Sequence, residues 1–119
     1  MKDGEHIEYF DSGDIWCKCN YLGGELHGEF INYYPSGEIS YKCNYLGGKK
    51  HGECIGYYDS GEILSNRNYI DGNRHGEYIC YYDSGGEIYS KYYYIDDKSV
   101  TELEWLSYNR NLTLELLGL

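Results

Sequence analysis

A single proline stands in 119 residues, against 16 glycines. Glycine at that frequency without matching proline excludes a collagen-like chain and reads as recurrent turns rather than disorder. Cationic residues are also scarce: ten Lys and Arg face twenty Asp and Glu, a formal net charge of −10. Phosphate recognition needs clustered Lys and Arg, so nucleic acid is excluded as a partner. The same charge disfavours an anionic membrane surface. No apolar run approaches the roughly 20 residues of a membrane-spanning helix. The start, Met1-Lys2-Asp3-Gly4-Glu5, lacks the apolar segment of a secretory signal.

The cysteines number five, Cys17, Cys19, Cys43, Cys54 and Cys80. An odd count leaves at least one unpaired in an oxidising compartment, so five free thiols in a cytoplasmic chain are expected. The sequon Asn111-Leu112-Thr113 then has no role. Cys19 and Cys43 occupy equivalent slots of the repeat described below, which sets their Cα atoms about 9–10 Å apart, beyond the roughly 7 Å that a disulfide spans. Cys54 and Cys80 fall in different slots, and no second pair has zinc-finger spacing. The expected role of the thiols is to fill strand positions as small apolar groups.

Tyrosine is abundant, 17 residues, and favours a pleated, half-buried surface. The triplet His-Gly-Glu begins at His27, His51 and His75, at intervals of 24 residues. A fixed interval of this length is the mark of a repeat architecture. Gly4-Glu5 opens a first copy without its histidine. Tyr9-Phe10, Tyr33-Tyr34, Tyr57-Tyr58 and Tyr81-Tyr82 align, as do the Ser-Gly pairs at 12, 36, 60 and 84. An extra glycine, Gly86, displaces the rest of the fourth copy by one. The array is assigned to residues 1–100, with copies near 4–27, 28–51, 52–75 and 76–100, and a helical cap to 101–119.

Each copy reads as two strands and two turns. The run Glu29 to Tyr34 is aromatic and β-branched, and Pro35-Ser36-Gly37 closes it with a turn. In the second run Ile39, Tyr41, Cys43 and Tyr45 share one face, and Ser40, Lys42 and Asn44 the other. Gly23-Gly24, Gly47-Gly48 and Asp71-Gly72 are hairpin dipeptides of the mirror-image type, and Asp96-Asp97, lacking glycine, marks the end of the repeat. Thr101 to Glu104 forms a capping box. A helix over 102–117 follows, or a shorter helix and then a strand at Leu112 to Leu116. Leu103, Leu106, Leu114 and Leu117 make a stripe, broken by Arg110, that is expected to cover the open end of the array. In the alternative it protrudes and pairs with a second chain, so that a homodimer forms. The fold expected is mainly β: an elongated single antiparallel sheet of about four stacked hairpins with a C-terminal capping helix.

These residues resemble MORN (membrane occupation and recognition nexus) repeats. The variant form G-E-x-x-x-Y-Y-x-x-G-x-I…Y-x-x-G-x-x-H-G runs from Gly28 to Gly52 and from Gly52 to Gly76, and the resemblance covers about residues 4–100. This variant occurs in bacterial antitoxin-like proteins and in large DNA virus families. The resemblance implies hairpin arrays without an active site of their own, used for protein contacts, oligomerisation and sometimes lipid contact.

The repeating triplets, His27-Gly28-Glu29, His51-Gly52-Glu53 and His75-Gly76-Glu77, invite a catalytic or metal reading. Equivalent positions two strands apart lie roughly 9.5 Å from one another, so one zinc ion, which holds its ligands at about 2.0–2.1 Å, cannot gather all three imidazoles. The triplets are assigned to the architecture, each imidazole packing on the next hairpin and bonding a turn carbonyl. No catalytic, metal or cofactor site is assigned. Phe30 and Tyr34 lie opposite Ile31 and Tyr33, so both sheet faces carry aromatic groups. Tyr34, Tyr58, Tyr78 and Tyr82 are the candidate interaction face, rimmed by carboxylates. The function expected is a non-enzymatic module that binds another protein, the acidic charge favouring a basic one, in the cytoplasm, or in the host cytoplasm if the chain is viral. The alternatives are an antitoxin- or immunity-like inhibitor of an enzyme and, against the charge, a lipid-contacting protein.

Overall fold

In each copy the aromatic run extends into a six-residue strand, the alternating run into an eight-residue strand, and a short return follows. The computed structural model describes residues 3–119; Met1 and Lys2 of the polar start lie outside the described residues. The first copy holds β1 (Gly4–Tyr9), β2 (Ile15–Leu22) and β3 (Glu25–Leu26). The second holds β4 (Gly28–Tyr33), β5 (Ile39–Leu46) and β6 (Lys49–Lys50), and the third β7 (Gly52–Tyr57), β8 (Ile63–Ile70) and β9 (Asn73–Arg74). The fourth holds β10 (Gly76–Tyr81), β11 (Ile88–Ile95) and β12 (Lys98–Val100), and helix α1 (Glu102–Leu116) ends the chain. The strands form one antiparallel sheet in the order β1-β2-β4-β5-β7-β8-β10-β11-β12, with β3, β6 and β9 paired onto β2, β5 and β8. None of the described helices is long and apolar enough to cross a membrane.

The register separates two faces. Ile7, Lys18, Ile31, Lys42, Ile55, Asn66, Ile79 and Lys91 pair in sequence across eight strands, an apolar–polar row on one face. The other face carries the buried groups: Cys17, Cys19, Cys43, Cys54, Ser65 and Tyr69. Tyr41 and Tyr45 pack against Cys43, Cys54 and Tyr69 there. A register shift occurs at the same place in every copy, between Glu8 and Tyr9, Asn32 and Tyr33, Gly56 and Tyr57, and Cys80 and Tyr81. The extra Gly86 is absorbed in the fourth turn. There Tyr82 N–H donates to Glu87, five residues on, where Tyr58 donates to Glu62, four residues on. The β10–β11 register is thereby preserved.

With so small a core, the copies are held together largely by hydrogen bonds that repeat with the sequence. Gly48, Gly72 and Asp97 donate their N–H groups to the carbonyls of Leu26, Lys50 and Arg74 in the preceding copy, at 3.0, 2.8 and 2.8 Å. In the first copy the Gly24 N–H donates to the carboxylate of Asp3 at 3.1 Å. On the other side of the array, Tyr34 Oη donates to the carbonyl of Tyr57, and Tyr58 Oη to that of Tyr81 at 2.7 Å. Lys50 Nζ lies 5.1 Å from the Tyr69 ring centre and the Arg74 guanidinium 4.5 Å from that of Tyr94, cation–π contacts between successive copies.

Glycine is required where each copy enters its first strand. Gly28, Gly52 and Gly76 have φ of +81°, +86° and +100°, opposite Tyr45, Tyr69 and Tyr94. The loss of glycine at Asp96-Asp97 does not abolish the turn: both residues take positive φ, 48° and 70°. Arg74 holds it by donating from Nε to Asp97 Oδ1 at 2.7 Å and from Nη2 to the Asp97 carbonyl at 3.2 Å. These bonds keep the Asp97 carboxyl below the usual carboxylate range.

Two expectations are corrected. Cys43 and Cys54 are joined in a disulfide, so the five thiols are not all free; Cys17, Cys19 and Cys80 remain as thiols. Cys43 and Cys54 are in different slots of the repeat, but β5 and β7 are adjacent strands whose register, Tyr41 with Gly56 and Lys42 with Ile55, brings Cys43 next to Cys54 with Cα atoms 4.2 Å apart. Comparing only equivalent slots, two strands apart, overlooks this neighbour.

The second correction concerns α1. Its start is as expected: Thr101 Oγ1 accepts from the Glu104 N–H at 3.1 Å and Glu104 Oε1 from the Thr101 N–H at 3.0 Å. The helix continues to Leu116, with no strand at Leu112 to Leu116. The leucine stripe does not cover the array: Leu103, Leu106 and Leu117 are 75%, 54% and 67% exposed. The half-buried side is that of Trp105, Tyr108 and Asn109. Trp105 and Tyr108 each meet the His75 ring edge-on, at 5.7 and 5.5 Å between ring centres, and Trp105 reaches Tyr93 at 6.4 Å. Aromatic rings bury about 150–250 Å² each, and the indole edge lies close over Gly76. These contacts turn α1 so that its leucines face water.

Candidate interaction surfaces

The three His-Gly-Glu triplets occupy identical places. Each histidine N–H donates to an asparagine carbonyl of the long strand before it: His27 to Asn20, His51 to Asn44 and His75 to Asn68, all at 2.9 Å. The rings of His51 and His75 differ from expectation in what they bond. Nδ1 of His51 accepts from the Asp71 N–H and Nδ1 of His75 from the Asp96 N–H, both at 3.4 Å. The nearby return-strand carbonyls, those of Lys50 and Arg74, are already taken by the second residue of each turn, so the ring meets an amide N–H. The glutamates face polar partners in the next strand: Glu29 pairs with Lys42 at 3.2 Å, Glu77 with Lys91 at 3.6 Å, and Glu53 accepts from Asn66 at 3.1 Å. Exposed pairs of this kind contribute little to stability.

Two triplets meet the helix. His51, Gly52, His75, Gly76 and Glu77 line an open hollow of about 520 Å³ against Trp105 and Asn109 of α1. His75 is only 12% exposed in its side chain and meets the edges of Trp105 and Tyr108, which stack on each other at 5.8 Å. His27 is remote from this hollow. Among the described residues no group of three His, Cys, Asp or Glu is arranged to hold a metal ion.

Tyr34, Tyr58, Tyr78 and Tyr82 have three different environments. Tyr34 and Tyr58 are half-buried, and their hydroxyls are engaged with the following copy. Tyr78 is half-buried among Tyr92, Tyr94 and the Arg67 guanidinium, which lies 5.3 Å from its ring centre. Burial raises its phenol pKa, while Arg67 opposes that shift. Tyr82 has no following copy; it is exposed and meets Tyr89 edge-on at 5.2 Å. Burial, reinforced by Cys19 and then Glu8, pushes the Cys17 thiol up to about 11, which makes it a neutral filler of the strand.

Leu103, Leu106 and Leu117, which sequence reasoning directs inward, are exposed together with Leu116. Trp105 and Tyr108 are missed because only the leucine stripe is followed in this segment, although they form a second stripe with Asn109 and Leu112. That spacing, i, i+3, i+4 and i+7, is itself amphipathic and was the available signal.

The MORN repeat variant model matches residues 2–22, 26–46 and 50–71. No curated protein matches the chain. The matched segments end before β10, but β10 and β11 repeat the six-pair register and the shift of the three earlier hairpins. With the family's repeats over more than half of its length and the same hairpin at each copy, this chain belongs to the MORN repeat variant family.

Proposed function

We propose that the chain is a non-catalytic repeat module that binds another protein, with the array as support and the leucine face of α1 as the principal contact. The observation that carries this reading is the orientation of α1. Its aromatic side is docked on His75 and Tyr93, and Leu103, Leu106 and Leu117 are left in water. Apolar area exposed in this way costs about 25 cal/mol per Å², and contiguous apolar surface on a folded chain marks a contact. The spacing of Leu103, Leu106, Arg110, Leu114 and Leu117 suits a helix lying in an apolar groove.

The stripe reads the same from either end. An antiparallel second copy would set Leu103 against Leu117 and Leu106 against Leu114. It would also bring two Arg110 guanidiniums together on the axis, between chains of net charge −10. A different protein, with an apolar groove and a carboxylate opposite Arg110, fits better. Tyr78 and Tyr82 belong to this C-terminal end of the array, whereas Tyr34 and Tyr58 support the array itself.

The test is capture from the native cell by the full chain and by a Leu103→Glu, Leu106→Glu, Leu117→Glu variant whose circular dichroism matches the wild type. The reading expects one protein held in stoichiometric amount by the wild type and absent from the variant. Retention of the same proteins by both chains, or of none by either, overturns it.

A further inference from the structure

Along the long edge formed by the first turn of each copy, the sheet carries acids and no bases. The turns read Asp11-Ser12-Gly13-Asp14, Pro35-Ser36-Gly37-Glu38, Asp59-Ser60-Gly61-Glu62 and Asp83-Ser84-Gly85-Gly86-Glu87. The basic residues Lys49, Lys50, Arg74 and Lys98 lie along the opposite edge, in the short return strands. Among the described residues, Asp14, Glu38 and Glu62 form no ion pair, unlike the glutamates on the sheet face.

Hollows recur between these turns. Gly13, Asp14 and Ile15 of the first copy face Tyr33 and Gly37 of the second across an open hollow of about 350 Å³. Gly61, Glu62 and Ile63 of the third copy face Tyr81 and Gly86 of the fourth across one of about 460 Å³. Four of the five lining positions are the same in the repeat; the fifth is Gly37 in the first hollow and the inserted Gly86, beside its equivalent Gly85, in the second. The matching residues between the second and third copies are Gly37, Glu38, Ile39, Tyr57 and Gly61. Each hollow combines an isoleucine and a tyrosine with a carboxylate at the rim, and the turn glycines leave its mouth open: a Cβ at Gly13, Gly37 or Gly61 would meet nothing within 4 Å. The pairing of apolar wall and single carboxylate matches a lysine or arginine side chain, whose stem is apolar and whose head is charged.

Equivalent repeat positions of successive copies are two strands apart, roughly 9.5 Å at about 4.8 Å per strand, so the two hollows lie roughly 19 Å apart with the matching positions around Glu38 midway between them. A polyproline II segment repeats every three residues with a rise of about 3.1 Å each, so side chains at i, i+3 and i+6 share a face about 9.3 Å apart. An extended β-strand presents same-side residues about 6.6–6.8 Å apart and misses the interval. We infer that the hollows form a row of equivalent subsites for a basic segment in polyproline II conformation, with lysine or arginine at every third position. Each basic stem lies on the isoleucine and tyrosine of one hollow, and its head meets Asp14, Glu38 or Glu62. The assignment rests on the protein-binding reading above, but it concerns a surface separate from the leucines of α1.

The test uses the full chain and a labelled peptide of four Arg-Pro-Pro units, read by fluorescence anisotropy. The control has the same composition with its four arginines adjacent. The spaced peptide should bind at least about tenfold tighter than the control, and binding should weaken with salt. An Asp14→Asn, Glu38→Gln, Glu62→Gln variant, with unchanged circular dichroism, should lose at least about tenfold. Equal binding of the two peptides would mean attraction by net charge alone and overturns the assignment. Undiminished binding by the variant would place the peptide elsewhere and overturns it as well. Neither result touches capture through the α1 leucines, so failure here is distinguishable from failure of the protein-binding reading.

Discussion

The tyrosine hydroxyls that join one copy to the next have a natural gap. Tyr34 and Tyr58 donate to the carbonyls of Tyr57 and Tyr81, but the first copy has Phe10 at this position, so nothing equivalent reaches the carbonyl of Tyr33. The backbone there is prepared for it: Phe10 N–H bonds Asp14 as Tyr34 bonds Glu38, both at 2.8 Å. Phe10→Tyr should therefore complete the series and stabilise the protein by about 0.5–1.5 kcal/mol, the net value of an intramolecular hydrogen bond. For a domain of this size that is a rise in Tm of about 3–5 °C per kcal/mol. Tyr58→Phe should act in the opposite direction, by about 1–3 kcal/mol, because it strips a part-buried carbonyl of its donor. Tyr82→Phe, at the end of the series, should be neutral. Urea and thermal unfolding of the three variants measure this. A Phe10→Tyr protein no more stable than the wild type, or a Tyr58→Phe protein as stable, would refute the view that these hydroxyls hold the copies together.

Gly52→Ala should destabilise by about 1–3 kcal/mol through backbone strain alone, since φ is +86° and a Cβ meets nothing within 4 Å; urea unfolding reads the loss. The Asp97 carboxyl is depressed by Arg74, so its contribution is present above the usual value near 3.8 and is lost as pH falls through the lower folded-state value. Asp97→Asn should accordingly be less stable than the wild type at pH 6, and the two stability curves should merge in strong acid. Alkylation of the denatured chain without reductant should label Cys17, Cys19 and Cys80 but not Cys43 or Cys54. In the native chain Cys17, whose thiol is pushed up to about 11, should react slowly at pH 8, and Cys54→Ser should cost about 2–3 kcal/mol by thermal unfolding.

What was legible in the sequence was what is local or periodic. The 24-residue interval places the strands, the Ser-Gly pairs place the turns, and Thr101 with Glu104 marks the start of α1, because each is decided by neighbours a few residues away. The side of α1 that docks is decided by a distant surface. The leucine stripe and the Trp105–Tyr108 stripe are both periodic, and the His75 and Tyr93 rings, distant in sequence, discriminate between them. The Cys43–Cys54 bond was hidden for a related reason: it depends on the register between adjacent copies, whereas the repeat compares positions two strands apart. Asp3 is a third such case, since a side-chain carboxylate that accepts from a turn N–H leaves no periodic trace. The environments of Tyr34 and Tyr82, alike in the alignment, diverge because one is followed by a further copy and the other is not.

The leucines of α1 are either a free surface or the cap of the array. Thermal unfolding of the Leu103→Glu, Leu106→Glu, Leu117→Glu variant in isolation tests this most directly. If the leucines face water and Trp105 and Tyr108 hold the helix, each substitution should fall within about 0.5 kcal/mol of neutral, with Tm close to that of the wild type and helical content retained. Loss of the folded state, or a fall in Tm comparable to that caused by Trp105→Ala, would show the leucines to be buried and would contradict the account.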